Sequence, residues 1–341
     1  TRWRQRVGEE GVESLLTETI EAARRGKVVK KQSFDKIIID TTVMEKAVAF
    51  PTDSRLLERG RQHLVKLAKS LGITLRQNYN REAPRLAIQV GRYAHAKQFR
   101  RMKATLKSLR TLLGRVWRDI DRKLDRNDET TAIRAEAILA RVKRVLTQQP
   151  KDKNKLYSLH APEVECISKG KARQPYEFGV KVTVATTHKE GLVVGMRSMP
   201  GNPYDGHTLP VAVEQVSILT DHLPKAVFVD KGYRGVNVPG VTIWRSGQKR
   251  GVTSAIKKAI HRRSAVEPAI GHMKNDGRLR RNWLKGSLGD ALHAVLCGAG
   301  HNLRMILRAL RLYFTFLLVG PWGSNLRCRP RNQNSYRLFP A

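Results

Sequence analysis

The sequence predicts an α/β fold in which a sheet of apolar strands is interrupted by a long block of helices. Short runs rich in β-branched residues are typical of buried strands, and they occur at 35–43, 176–199, 226–235 and 241–244. The chain from about 85 to 148 is instead basic and helical in pattern, with no proline between Pro84 and Pro150. This order indicates an α/β domain with an α-helical insertion after its first strand.

The N-terminal part of the chain predicts two helices around one strand. Residues 9–25 carry acids early and arginines late, an order that the helix dipole favours. The run DKIIIDTTV at 35–43 predicts a buried strand, because it is short and rich in isoleucine and threonine. A second helix is expected over 51–72, with Asp53 or Ser54 as its cap.

The rest of the chain divides into further elements and a set of predicted domains. The later elements are two or more helices over 85–148 with a break near 125–128, a linker at 150–155, a hairpin turning at 189–191, a turn cluster at 201–209, and helices ending near 219 and spanning 264–275 and 287–312. The predicted domains are an N-terminal helical segment at 1–34, the first part of a catalytic core at 35–50, a basic α-helical insertion at 51–155, the rest of the core at 156–312 and a C-terminal tail at 313–341. A truncated DNA-binding region is the hypothesis for the first segment.

The charge balance points to a polyanionic partner. The chain has 65 Lys and Arg against 29 Asp and Glu, a formal net charge of +36 spread from Arg2 to Arg337. Such a chain repels itself unless a polyanion neutralises it, and nucleic acid releases condensed counterions when its phosphates are neutralised. A ribosomal or nucleoid protein would have the same balance, so charge alone indicates a partner and no reaction. A membrane surface is the weaker alternative, because no basic amphipathic segment dominates.

Cysteine usage and apolar runs indicate a reducing compartment. Three distant cysteines, Cys166, Cys297 and Cys328, form no CxxC pair, so neither a zinc site nor a disulfide framework is predicted. The first residues lack the apolar segment of a signal peptide, and the longest apolar run, at 314–319, is too short to cross a bilayer. We expect a cytoplasmic protein associated with the nucleoid.

Two aspartates follow apolar strands and are candidate site residues. Asp40 comes after three isoleucines, and Asp230 comes after AVFV. An acid that ends an apolar strand commonly lies at the carboxyl edge of the sheet, where α/β folds place their ligands. A turn or a helix cap is the alternative for either residue alone. Two such residues, each followed by small or flexible residues, favour a shared site.

The third candidate acid is Glu267, within HRRSAVEPAIGHMKNDGR. Arg263 and Lys274 lie four residues before it and seven after it, so the three share one face of a helix. Ser264 stands three residues before Glu267, which is also the spacing of a capping box, so a purely structural role is an alternative. Proline is tolerated only in the first turn of a helix, so Pro268 is expected to lie in that turn.

Three converging carboxylates predict a cation between them. Hard oxygen ligands select Mg²⁺ or Mn²⁺, and two such ions about 3.5–4 Å apart clamp the attacking and leaving oxygens of a phosphoryl displacement. Neighbouring cations would hold the flanking phosphates, and the residues assigned to DNA binding are Lys231, Tyr233, Arg234, Arg263 and Lys274.

Five separated blocks occur in a fixed order over roughly residues 1 to 312. They are IIIDTTVMEKAVAFPTDSRLL, ISKGKARQPYEFGVKV, GNPYDGHTL, VDKGYRG and RSAVEPAIGHMKNDGRLRRNWLKGSLGDALHAVLCGAGHNLR. Together they resemble the DDE transposases of bacterial insertion sequences, in particular the insertion-sequence-five-type members. The resemblance implies a ribonuclease-H-like catalytic core, a mixed sheet flanked by helices, with the α-helical insertion between its first and second strands.

Matched position by position, the family's three catalytic and metal-binding acids fall on Asp40, Asp230 and Glu267. Arg263, Glu267 and Lys274 match three positions of the family's signature around the last acid. The tyrosine of that signature falls on Ile260, a departure that puts its phosphate contact in doubt. The tail after about residue 315 matches no part of the family.

Several other residues leave alternatives open. Among the histidines, His207 in PYDGHTL is the most notable because it lies beside Asp205, and Asp205-Gly206 suits a turn as well as a catalytic edge. Trp244 and Trp283 would each stack on an unpaired base or pack in the core. Core packing is favoured for Trp244, whereas the two alternatives are evenly balanced for Trp283. The basic helices at 85–148 are interpreted as a surface that tracks DNA, with a merely solvated face as the alternative.

The function predicted from these observations is metal-dependent cleavage and strand transfer of an insertion-sequence element. The expected partners are double-stranded DNA, as terminal inverted repeats and target, and a second copy of the chain in a DNA synapse. Two alternatives stay open: a ribonuclease-H-like nuclease without strand transfer, and a non-catalytic, decayed DNA-binding protein. The sequence carries no GxxxxGK loop, so ATP hydrolysis is not predicted.

Overall fold

The computed structural model describes residues 2–153, 155–168 and 175–319, and is a mixed α/β structure. The helices are α1 Arg2–Arg25, α2 Asp53–Ser70, α3 Glu82–His95, α4 Phe99–Lys123, α5 Glu129–Thr147, α6 Asp205–Thr220, α7 Ser254–Arg262, α8 Val266–Asn275 and α9 Gly286–Val319. The strands are β1 Lys36–Glu45, β2 Glu165–Ser168, β3 Tyr176–Thr187, β4 Val193–Met199, β5 Ala226–Val229 and β6 Thr242–Arg245. The predicted tail from residue 320 onward, with Cys328, and residues 169–174 lie outside the described residues.

The six strands form one mixed sheet. Its order is β2-β3-β1-β5-β6, and β4 pairs with β3 beside this path. β3 is antiparallel to β1, β2 and β4, whereas β1, β5 and β6 run parallel to one another. Parallel strands bring their carboxyl ends to the same edge of a sheet, so this edge receives the residues that follow the apolar runs of β1 and β5.

Side chains of β1 and β5 alternate between two helical layers. Ile37 and Ile39 of β1 belong to the main core, together with residues of α1, α6 and α9. Ile38, between them, packs with Phe228 of β5 and Val266 of α8 in a smaller cluster on the opposite face. The alternation follows from strand geometry, because successive residues point to opposite faces. Helices therefore cover both faces of this part of the sheet.

Helices α2–α5 follow β1 and build a hydrophobic cluster of their own. Leu64 of α2, Leu113 of α4 and Val142 of α5 are fully or almost fully buried in it. The apolar positions of α4 recur with helical spacing, so one stripe enters this cluster while the charged residues stay outside. The predicted interruption near 125–128 is confirmed by the end of α4 at Lys123 and the start of α5 at Glu129.

Several predicted boundaries differ from the observed ones. The helix expected over 51–72 is capped by Thr52, whose hydroxyl accepts the Arg55 amide, and not by Asp53 or Ser54. Strand β2 and helix α7 had no clear pattern in the sequence. The turn cluster at 201–209 ends earlier than expected, since α6 begins at Asp205. At the other end of the chain, α9 continues without a break through the predicted boundary at 312.

Candidate active site at the carboxyl edge of the sheet

Asp40 and Asp230 are neighbours because of the register between β1 and β5. Ile37 pairs with Val227 and Ile38 with Phe228 in parallel orientation. Continued by two residues, this register puts Asp230 beside Asp40, on strands that are about 4.8 Å apart. Both acids also follow the alternation of Ile38 and Phe228, so both face the layer that contains α8. The structure therefore brings two of the three predicted acids together.

The strand that carries Asp40 is longer than the sequence pattern suggested. β1 continues to Glu45, so Asp40 lies within the strand rather than at its end. The pairing with β5 stops at Ile38, whereas the pairing with β3 continues along the whole strand. Asp40 consequently lies at the carboxyl edge because the neighbouring strand β5 ends at Val229, and not because its own strand ends there.

Asp40 is a partly buried carboxylate with two hydrogen-bond donors. Its Oδ1 accepts the Thr41 amide at 2.8 Å, and its Oδ2 accepts Arg263 Nη1 at 3.0 Å. Burial raises the pKa of Asp40 above its usual value; the Thr41 amide and Arg263 oppose this effect, and the charge of Asp230 adds to it. A nearby cation that relieved this repulsion would be favoured at the same place.

Asp230 begins the tight segment that follows β5. Its Oδ1 accepts the amide of Gly232 at 2.7 Å. A Cβ placed on Gly232 would lie 2.9 Å from this oxygen and 3.3 Å from Oδ2 of Asp205, so the two carboxylates flank the same glycine. The glycine thus leaves space between two acids that a side chain would fill.

Asp205 is an acid at this edge that the predicted site did not include. It is the first residue of α6, and its Oδ1 accepts the hydroxyl of Thr41 at 3.0 Å and the ammonium of Lys181 at 2.9 Å. The one sequence signal was its position in PYDGHTL, where a turn and a catalytic edge were equally suitable. The contacts with Thr41 and Lys181 connect distant segments, and no local pattern indicated them.

Glu267 lies in the first turn of α8, and it contacts the other acids through Arg263. Nη2 of Arg263 is 3.4 Å from Oε1 of Glu267, while Nη1 of the same guanidinium binds Asp40. The side chain of Glu267 is 64 % exposed. The capping box considered for Ser264 and Glu267 is not formed, because the Ser264 hydroxyl donates to the His261 carbonyl instead. Glu267 is therefore available for a role other than capping.

The donor set at this edge consists of carboxylate oxygens, which suit a hard divalent cation. In the described parts of the chain, however, no three His, Cys, Asp or Glu side chains are close enough together to hold a metal ion. Asp40, Asp205 and Asp230 surround the edge, and Arg263 lies between Asp40 and Glu267. Asp40 and Asp230 are adjacent oxygen donors of the type that a divalent ion prefers, whereas Glu267 contacts this pair through Arg263.

Residues 113–299 match the family described as transposase DDE domain, and this match covers more than half of the chain. This chain belongs to that family. The matched segment contains Asp205, Asp230 and Glu267, and it begins after Asp40. Transposition and DNA recombination are the reactions of the family, and its members bind DNA and generally use divalent metal ions.

A curated relative of this chain is an uncharacterized protein, ORF8 in the nfe locus of Rhizobium meliloti. It is 48 % identical over 99 residues, which are 29 % of this chain and 48 % of the relative. The chain thus spans about half the length of the curated relative that it matches. No solved structure matches the chain at a significant level.

The residues predicted to bind DNA have different environments in the structure. Lys231 and Arg234 are exposed beside Asp230, and Lys274 is partly buried on α8. Tyr233 is fully buried in the main core, and burial, followed by the charges of the three nearby aspartates, raises its pKa. A ring without exposed surface cannot contact DNA, so the predicted DNA-binding role of Tyr233 is corrected to packing beneath the acids.

Two other predictions concern neighbouring positions. Ile260, at the tyrosine position of the family's signature, packs against the small cluster of Ile38, Phe228 and Val266. Trp244 packs against the same cluster, so core packing is confirmed for this tryptophan. Trp283 is 64 % exposed, and the alternative of core packing is wrong for it.

The helical block carries a second basic region. A groove of about 1070 Å³ between α4 and α5 is lined by cations, with Asp53 as the acid at its margin. These cations are Lys103, Lys107, Arg110, Arg118, Lys143 and Lys155. Among the described residues, none of the helices is both long and apolar enough to cross a membrane. The groove thus combines six cations with apolar residues such as Met102, Leu106 and Leu146.

Proposed function

We propose that this transposase performs metal-dependent cleavage and strand transfer of an insertion-sequence element, and that it is an insertion-sequence-five-type member. The observation that carries the proposal is the register between β1 and β5, whose continuation by two residues puts Asp40 beside Asp230 on the face covered by α8. Two adjacent carboxylates repel each other, and the charge of Asp230 contributes to the raised pKa of Asp40, so a cation between them would be favoured. We infer that two divalent ions, Mg²⁺ or Mn²⁺, would bind there.

Each acid has a separate role in this proposal. Asp40 and Asp230 hold the ions, and Glu267 completes the site once Arg263 has left its place between Asp40 and Glu267. Two bound divalent ions supply an activated water and stabilise the leaving oxygen. The water oxygen forms a bond with phosphorus, the bond to the 3′ oxygen breaks, and a proton leaves to solvent. The freed 3′-hydroxyl then attacks a target phosphodiester in the same manner.

Arg263 is well placed to change partners during binding. Its guanidinium contacts two carboxylates in the free protein, and a DNA phosphate is an equally suitable partner for its planar donors. Transfer of Arg263 to a phosphate would release Asp40 and Glu267 for the metal ions. Lys231, Arg234 and Lys274 would hold other phosphates near the cut.

The fold and the organisation of the chain extend this proposal. A ribonuclease-H-like core would comprise residues 35–50 and 156–312, with residues 51–155 as a helical insertion that binds DNA. The separate hydrophobic cluster of α2–α5 supports this division, as does the cationic groove between α4 and α5. Terminal inverted repeats and target DNA would be the substrates, and a second copy of the chain would complete a synapse.

The ion pair between Arg263 and Asp40 also favours one alternative function. A permanent pair would keep the acids neutralised without metal, as expected of a non-catalytic DNA-binding protein. The two functions differ in their dependence on divalent ions. Only the catalytic function requires that Mg²⁺ and the acids act together.

The test compares Asp230→Asn with Asp221→Asn in the purified chain. Asp221 is an exposed aspartate with φ 47°, a backbone conformation that asparagine also tolerates, so it is a matched control. We expect Asp230→Asn to reduce cleavage of the element's ends in Mg²⁺ by at least about 10³-fold, because loss of a metal-clamping ligand removes several kcal/mol of transition-state stabilisation. Asp221→Asn should cleave normally.

Two further readouts complete this test. Joined products, as distinct from nicked ones, separate a transposase from a nuclease without strand transfer. Calorimetric titration with Mn²⁺ should show binding to the Asp221→Asn chain and weaker binding to the Asp230→Asn chain, independently of activity. Undiminished cleavage by Asp230→Asn would disprove the catalytic assignment.

A further inference from the structure

A cationic groove with an exposed tryptophan lies beyond the far end of β1. It has a volume of about 840 Å³, and its lining includes Glu45, Lys274, Arg278, Arg280 and Arg281. The three arginines are exposed, and the groove's apolar lining is limited to Val48 and Trp283. A surface of this composition suits a polyanion rather than an apolar protein face.

Trp283 forms the exposed aromatic part of this groove. Its side chain is 64 % exposed, and the Arg281 guanidinium lies 4.5 Å from the ring centroid. Single exposed apolar residues are common and need no explanation. Here, however, the ring is held by a stacked cation and surrounded by further cations, an arrangement that combines base stacking with phosphate binding.

The backbone on both sides of Trp283 is held firmly. Asn282 is fully buried; its amide donates to the Glu45 carbonyl at 2.7 Å, and its own carbonyl accepts the Ala47 amide at 2.8 Å. Its side chain donates to Asp290 and accepts the Leu284 amide at 2.8 Å. The ring therefore needs little ordering when a ligand binds, which lowers the cost of binding.

The groove lies on a path that leads away from the acids. Asp40 and Glu45 belong to the same strand, so about 16 Å separate them at 3.3 Å per residue. A strand within a duplex advances about 3.4 Å per nucleotide, and an unpaired strand can extend further, so roughly five nucleotides or fewer cover this distance. Lys274, on the helix that carries Glu267, lines the groove and connects the two regions.

We propose that this groove binds a single-stranded DNA segment, with one unpaired base stacked on Trp283 and its phosphates on Arg278, Arg280 and Arg281. Bases in a duplex are already stacked on their neighbours, so an exposed ring offers its stacking surface to an unpaired base. The inference rests on the proposed function in one respect: the segment would be the strand next to the cut.

The experiment measures affinity for two DNA probes in EDTA, so that no cleavage occurs. One probe is a blunt duplex, and the other carries a single-stranded overhang of about six nucleotides with one 2-aminopurine. We expect Trp283→Leu to weaken binding of the overhang probe by roughly 5- to 150-fold, the value of one stacked base. Binding of the blunt duplex should change less than twofold.

Matched variants identify the cause of any loss. Trp283→Phe should retain most of the affinity for the overhang, and Trp3→Leu, at another exposed tryptophan, should retain all of it. The 2-aminopurine fluorescence should be quenched in the unaltered complex and recover in the complex of Trp283→Leu. Arg281→Gln should weaken both probes, because a phosphate contact does not depend on base pairing.

Two outcomes would overturn the inference. In Trp283→Leu, equal losses for both probes would assign the groove to duplex phosphates alone, and no loss for either probe would remove the ring from DNA binding. Neither outcome depends on catalysis. If the chain does not cleave DNA but Trp283→Leu loses affinity for the overhang probe alone, the proposed function is contradicted and this binding site stands. If the chain cleaves DNA but Trp283→Leu loses no affinity, the proposed function stands and this binding site is contradicted.

Discussion

The ion pairs around the sheet and the cations of helix α4 differ in their exposure to solvent. Around the sheet, several charged side chains are wholly or partly buried and contact one another, as Asp40 does with Arg263, Asp205 with Lys181, and Lys46 with Asp290. In the helical block, α4 has nine Lys and Arg among its 25 residues, and eight of the nine are exposed.

This difference follows from the cost of removing charges from water. A buried charge is tolerated only when a partner and hydrogen bonds compensate for lost hydration. An exposed charge keeps its hydration and remains available for a polyanion. Substitution of a buried charge around the sheet should therefore lower the stability of the protein, whereas substitution of exposed cations in the helical block should lower the affinity for DNA.

The largest expected effect is on stability, at the buried ion pairs that follow the end of β1. Nζ of Lys46 is buried 2.6 Å from Asp290 and 2.8 Å from Glu163. Lys46→Met would leave two carboxylates without their cation, so we expect the free energy of unfolding to fall by about 3–5 kcal/mol in urea titrations. Lys107→Met, in the groove of the helical block, should change it by less than about 0.5 kcal/mol. Similar losses in the two variants would break the comparison.

The second effect is on DNA binding by the helical block. Lys103, Lys107 and Lys143 line its groove, and we expect their combined replacement by Gln to lower the slope of log affinity against log salt by about 2.7, at 0.9 per phosphate. The same replacement at Lys27, Lys31 and Lys189, which are exposed elsewhere, is the control. An equal decrease in the control would show that net charge, rather than the groove, binds the DNA.

The smallest effect concerns pH, and it compares one histidine from each region. Burial lowers the pKa of His63 in the helical block and of His188 in the sheet layer, where its ring contacts Phe228. Between the folded pKa and the unfolded value of about 6.5, the unfolded chain binds more protons. The stability due to each neutral histidine is therefore complete above about pH 6.5 and is lost as the pH falls.

Variants at the two histidines sharpen this comparison. The free energy of unfolding should fall between pH 7.5 and 5, and His63→Gln and His188→Gln should each reduce the slope. Urea titrations at several pH values measure this slope. A slope that both variants leave unchanged would assign the acid sensitivity to other groups.

Much of the fold was predictable because the strands are short runs of β-branched residues. The runs at 35–43 and 226–235 correspond to β1 and β5, and the hairpin at 176–199 corresponds to β3 and β4. Strand β2 was missed because four residues carry little pattern. Helix α7 was missed because its nine residues are mostly polar or basic and bury no residue completely.

The candidate site was predictable only in part. Asp40 and Asp230 were predicted to share a site from their positions after apolar runs, and they are adjacent. Asp205 was missed because its contacts with Thr41 and Lys181 connect segments that are 164 and 24 residues apart. The DNA-binding role of Tyr233 was wrong because a position next to an acid in sequence says nothing about which way a ring points.

The amino-acid sequence by itself determined the charge, the order of the elements and the acids that the strands carry. These properties are local, since side-chain chemistry and periodicity act over a few residues. Only the tertiary structure decided which acids are adjacent, because the register of β1 against β5 depends on packing on both faces of the sheet. It also decided that Tyr233 is buried and Trp283 exposed, since burial depends on contacts between distant segments.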